Sequence, residues 1–141
     1  MILNVYGKTE NGGTVFRMPN ILLDPRLHYL VGVSRIYFDL ETKETAFETF
    51  GNHDLLMVNS NLVDRSAANP HQAIVYFDFL RRNKLTQSYH ASSIIFQPLQ
   101  LRELSNASFS ICNATGEAIK ANYKTIFLQL EIKRSDKYGW I

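Results

Sequence analysis

Apolar and polar residues alternate most cleanly near the end of the chain. From Ile126 to Lys133, Ile126, Leu128, Leu130 and Ile132 fall on one face, while Gln129, Glu131 and Lys133 fall on the other. That is the period of two of a half-buried strand. Just upstream, Ala107, Phe109 and Ile111 alternate with Ser108, Ser110 and Cys112, and Asn113-Ala114-Thr115-Gly116 ends the run as a glycine turn. The longest β-like stretch is Leu27 to Leu40, and Gly32 inside it predicts a bulge or a close backbone approach. Ala73 to Leu80 predicts a further strand, with Ala73, Val75, Phe77 and Phe79 inward and Asp78 outward.

Shorter extended pieces are expected at Ile2 to Tyr6, Thr14 to Met18, Leu55 to Val63 and Ile94 to Phe96, with a minor strand at Thr45 to Phe50. Gly7 to Gly13 reads as a polar loop carrying an Asn11-Gly12 turn signal, and Arg81 to Ser92 as a long polar connection. Leu99 to Ser105 fits one helical turn or an irregular crossing. The sum is eight to nine short strands and no amphipathic helix, which points to an all-β antiparallel sandwich or barrel. No linker or repeat interrupts it, so one domain over 1–141 is expected, with 135–141 as a tail.

Composition changes this picture little. At 45% hydrophobic and 20% charged residues the chain has the balance of an ordinary globular domain. Nine Phe, seven Tyr and Trp140 suit strands and broad contact surfaces. Fifteen basic residues against thirteen acidic ones leave a formal charge of +2, too small to call for nucleic acid beyond nonspecific contact. The charges that stand out are Arg81, Arg82 and Lys84 in one loop, Lys133 to Lys137, and the acidic group Glu41, Glu44 and Glu48. They read as solvated surface or as complementary contacts between subunits. The lone Cys112 excludes an intrachain disulfide, the start lacks the pattern of a signal peptide, and no stretch reaches the length of a membrane span.

No pattern of reactive residues points to a reaction. His28, His53, His71 and His90 are scattered, without metal-ligand spacing or a cysteine partner. Ser60 or Ser66 with Asp64 and His71 or His53 supplies nucleophile, acid and base types, but no nucleophile elbow or phosphate-binding glycine loop accompanies them. No catalytic residue, cofactor or metal is therefore expected. Trp140, beside Tyr138, is either a flap over the domain's own core or an anchor in a neighbour's pocket.

Three stretches carry a resemblance. Phe16-Arg17-Met18-Pro19, Leu22 and then Leu27 to Phe38 form the first, and Leu55 to Val63 the second. The third runs from Ile95-Phe96-Gln97-Pro98-Leu99 through Leu104, Phe109-Ser110-Ile111, Gly116 and Ile119 to Leu128 through Arg134. In these the chain resembles single jelly-roll capsid proteins, most closely the penton-like minor capsid proteins of Polinton-type elements, adintoviruses and virophages. It departs from them at Asn113, where an acidic residue is usual, and in lacking a large insertion between strands.

The resemblance implies an eight-stranded jelly-roll sandwich, a homo-oligomer in the form of a pentameric ring, other capsid proteins as partners, and a place in the virion after synthesis inside a host cell. It implies no enzyme and no membrane. Glu41, Glu44, Arg81, Arg82, Lys84, Tyr138 and Trp140 are the expected subunit contacts. Two rivals remain open: a non-enzymatic sandwich that binds a glycan or a cell-surface protein through its end loops, and a small β-barrel enzyme.

Overall fold

The computed structural model describes residues 1–11, 13–40, 55–78, 86–119 and 123–135. Those residues are all-β, with two antiparallel sheets consistent with a β-sandwich. The strands are β1 (Ile2–Glu10), β2 (Gly13–Arg17), β3 (His28–Leu40), β4 (Leu55–Ser60), β5 (Ala73–Asp78), β6 (Thr86–His90), β7 (Gln97–Pro98), β8 (Phe109–Asn113) and β9 (Tyr123–Ser135). The larger sheet runs β2-β1-β9-β3-β6 with β7 on β3, and the smaller runs β5-β4-β8.

The alternation in β9 is realised along the strand. Ile126, Leu128, Leu130 and Ile132 are buried, and they join Val5 and Leu3 of β1 and Val31, Val33, Ile36 and Phe38 of β3 in one cluster. Leu56 and Val58 of β4, Ile74 and Phe77 of β5, and Phe109 and Ile111 of β8 close that cluster from the smaller sheet. Burial of this continuous apolar face is what holds the two sheets together.

Several expectations are refined. The turn at Gly116 closes a short hairpin on β8 itself, with Ala118 bridging Cys112 and the Ile119 amide donating to the Ile111 carbonyl at 2.9 Å, while β9 lies in the other sheet. Asn113 shapes the turn: its Oδ1 accepts from the Thr115 hydroxyl and amide and from the Glu117 amide at 2.8–3.1 Å, and Gly116 takes φ +92°. A neutral amide oxygen thus meets the donors at the position where the resemblance leads one to expect an acid. The polar stretch after Tyr6 is not a loop but the second half of β1, paired to β2 through the turn at Asn11, whose φ is 50°. Its polar residues lie at the sheet edge, where one face is wet.

The connection over Arg81 to Ser92 also contains a strand. β6 pairs with Arg35 to Asp39 of β3, and its Tyr89 packs on the core against Phe77, ring centroids 5.8 Å apart. In β5 a register shift opposite Val58 and Asn59 inserts Ile74 as an extra residue. Ile74 and Phe77 consequently enter the main core, while Ala73 joins Met57 and Cys112 in a separate buried group. The predicted inward set is therefore correct at Phe77 and partly at Val75, and Ala73 serves the other group. Phe79 and the expected strand at Thr45 to Phe50 lie outside the described residues, and Leu104–Asn106 forms the single turn of 3-10 helix anticipated around Leu99 to Ser105.

Gly32 is a close approach, as the sequence suggested, and the bulge falls next to it between Val33 and Arg35. A Cβ at Gly32 would collide with Ile94 Cγ2 and lie 3.0 Å from the Ile95 carbonyl oxygen. Gly32→Ala is expected to destabilise the fold by about 1–3 kcal/mol through overpacking. Trimming the neighbour in Gly32→Ala/Ile94→Ala should return part of that loss, and urea denaturation of the two variants and of Ile94→Ala measures the coupling.

Candidate functional site

Among the described residues, one concavity is built where the two sheets part. β5 borders the smaller sheet and β6 the larger, and the gap between these borders holds a cavity of about 430 Å³. That volume lies in the range of small-ligand sites. Its walls come from Val33 of β3, Ile74, Val75 and Tyr76 of β5, and Tyr89 of β6, with Ile95 at the rim. Tyr76 is 48% exposed and Ile95 77% exposed, so the mouth is apolar and open.

Polar side chains at this site are committed to its frame. Asn69 Nδ2 donates to the Ala73 carbonyl at 3.0 Å and to Gln97 Oε1 at 3.0 Å, and its Oδ1 accepts from the Ala73 amide at 2.9 Å. Gln97 Nε2 donates to the same Ala73 carbonyl at 2.8 Å. These bonds satisfy the backbone of β5 where it leaves its partner β4, and they tie the 66–69 turn to β7. With Asn69 and Gln97 so committed, what the cavity offers a ligand is aromatic and aliphatic surface with the hydroxyls of Tyr76, Tyr89 and Ser93.

The residues that the sequence offered for a reaction have structural duties. Ser60 is buried and its Oγ accepts from the Leu62 amide at 3.1 Å, while Ser66 Oγ accepts from the Asn69 amide at 3.0 Å. His71 packs against Gly116, whose missing side chain makes room for the imidazole. No group of three or more His, Cys, Asp or Glu side chains converges among the described residues. Among the described residues the displaced carboxyl is Asp24, held below the usual range by the Arg26 guanidinium at 2.9 Å, on an exposed turn. Cys112 is 1% exposed behind Met57 and Ala73.

The expected subunit contacts Glu41, Glu44, Arg81, Arg82, Lys84, Tyr138 and Trp140 all lie outside the described residues. The cavity itself had no sequence motif: Asn69 with Ala73, Tyr89 and Gln97 come from three separate stretches, β6 and β7 being gathered by pairing with β3 and set against β5 by the bonds from Gln97. The signal that could have found it is Tyr89, a lone aromatic in a polar run, which has the composition of an edge strand. Comparison with protein-family models, curated proteins and solved structures returns no match.

Asn69→Ala should leave the Ala73 amide without its partner and cost about 1–3 kcal/mol in stability, the penalty of an unsatisfied buried donor. Loosening the frame should also raise the binding of an apolar fluorescent dye to the native protein. Denaturant titration and dye fluorescence read the two effects.

Proposed function

We propose that the chain is a single jelly-roll subunit of a viral capsid, of the penton-like minor capsid kind, working through self-assembly and contacts with other capsid proteins. The observation that carries this reading is the nesting of its strand pairs. A jelly roll is a long antiparallel ribbon wound into two Greek keys, so each pair of strands encloses the next along the sequence. Here β4 pairs β5, β3 pairs β6 around them, and β1 pairs β9 around both. Ahead of β8 the stretch Ile21 to Leu23 bonds to Arg102 and Leu104, and Leu22 bridges Glu103. That supplies the remaining level of the nest. In this reading β2 is an added edge and β7 a stub on β3, and the other seven strands with the bridged segment at Leu22 make up the eight of a jelly roll.

Support for the step from fold to capsid comes from the three stretches that resemble the penton-like proteins, since a fold alone names no function. Leu22, Ile95 and Ile2 add to it, being 75%, 77% and 60% exposed and suited to burial against neighbours. A ring of such subunits closes by rotation about a heterologous interface. The second reading is a binding module, and the aromatic cavity between β5 and β6 favours it: Tyr76 and Tyr89 could stack on a glycan or receive a side chain of a cell-surface protein.

Light scattering behind a sizing column, with negative-stain images of the same fraction, separates the two. Rings of about five copies, or shells, are expected for the capsid subunit. In that case Trp140→Ala should lower the oligomer fraction without altering the β-sheet circular dichroism. A monomer at high concentration whose melting temperature rises with a glycan would overturn the assembly reading in favour of the module.

A further inference from the structure

The outer face of the larger sheet, turned away from the core, carries an aromatic row. Pairing registers Tyr6 of β1 against Phe127 of β9, and Phe127 against Tyr37 of β3. The three rings therefore lie side by side across adjacent strands. Tyr6 and Phe127 have ring centroids 5.0 Å apart, and Tyr6 is 55% exposed while Phe127 is 9% exposed. The row continues into a cation, because Arg17 of β2 pairs with Tyr6.

More positive charge surrounds it. Arg35 lies over the Phe127 ring at 5.7 Å, and its Nε is buried without a hydrogen-bond partner. Lys8, Arg17 and Lys124 border a shallow hollow of about 380 Å³ beside Tyr6. Arg17 and Lys124 have no ion pair among the described residues, and Lys8 is paired with Glu10 at 3.5 Å. Among the described residues the other acids on this face are Asp39, which accepts from the Tyr37 hydroxyl at 2.9 and 3.0 Å, and Glu131, further along the sheet.

We propose that this face binds single-stranded nucleic acid, its bases stacking on Tyr6 and the neighbouring rings and its phosphates meeting Arg17, Lys124 and Arg35. Flat rings on a sheet flanked by cations give sequence-tolerant binding, since every base presents a π-face and every nucleotide a phosphate. A duplex keeps its base faces inside the stack, so the rings favour a single strand. The site lies on the opposite side of the larger sheet from the core, and its case does not rest on the capsid reading.

The test is fluorescence anisotropy of labelled oligouridine and oligothymidine with the full-length protein, titrated from about 50 mM salt upward. Binding is expected, with log affinity falling against log salt with a slope of about −2, as for three neutralised phosphates on a single strand. Tyr6→Ala should weaken it by at least about fivefold, the lower end of a lost base-stacking contact, while Tyr6→Phe retains it. Arg17→Ala should make the slope shallower by about 0.7. Equal affinity for the two oligomers assigns recognition to base and phosphate, and a preference for the RNA adds the 2′-hydroxyl. Absence of binding to either oligomer overturns the proposal. So does binding that Tyr6→Ala leaves unchanged and that polyphosphate displaces as well as the oligomer does, which would be charge attraction alone.

Discussion

The whole architecture depends on β9 being paired along both of its edges. β1 bonds it from Ile2 to Gly7, and β3 bonds it from His28 to Leu40. A strand held on both sides has its register fixed twice over, and a slip of one residue would turn Ile126, Leu128, Leu130 and Ile132 out of the core. The other strands of the larger sheet take their places from it: β2 reaches the sheet only through β1, and β6 and β7 only through β3. The smaller sheet is not paired with it: the Gln97 bond to the Ala73 carbonyl links β7 to β5, and the apolar side chains of both sheets share one cluster.

How much of this could be read in advance follows from how local each signal is. β3, β4 and β9 were legible because their own residues carry the apolar density or the alternation. The close approach at Gly32 was legible because only a missing side chain lets Ile94 and Ile95 lie there. The second half of β1 and all of β6 were not, since edge strands can be polar and owe their conformation to the partner that they bond. The phase of β5 was misread at Ala73 because the inserted residue Ile74 is visible only against the register of β4. The cavity and the aromatic row were illegible for the same reason. Tyr6, Tyr37 and Phe127 are far apart in sequence and become neighbours only through pairing.

The two sides of the larger sheet divide the chemistry. The inner side is apolar and closed by the smaller sheet, and its burial stabilises the fold. On the outer side the rings of Tyr6 and Phe127 are separated from the core by one layer of backbone, and the pleat of β9 sets their spacing from below. The cavity between β5 and β6 differs again, because its Asn69 and Gln97 side chains are spent on holding the edges of the sheets.

The pairing of β1 with β9 has a consequence in time. The Met1 amino group bonds the Ile132 carbonyl at 2.7 Å across 131 positions of sequence. β1 therefore waits for β9 before either can complete its pairing. The loop-closure cost of such distant pairing slows this step and favours the local pairs, β1 with β2 and β4 with β5, as the first to form. Until β9 arrives, the apolar faces of β1 and β3 stand open in the nascent chain, where chaperones and unwanted partners can reach them. The same clasp that locks the finished sheet makes its growth dependent on protection during synthesis.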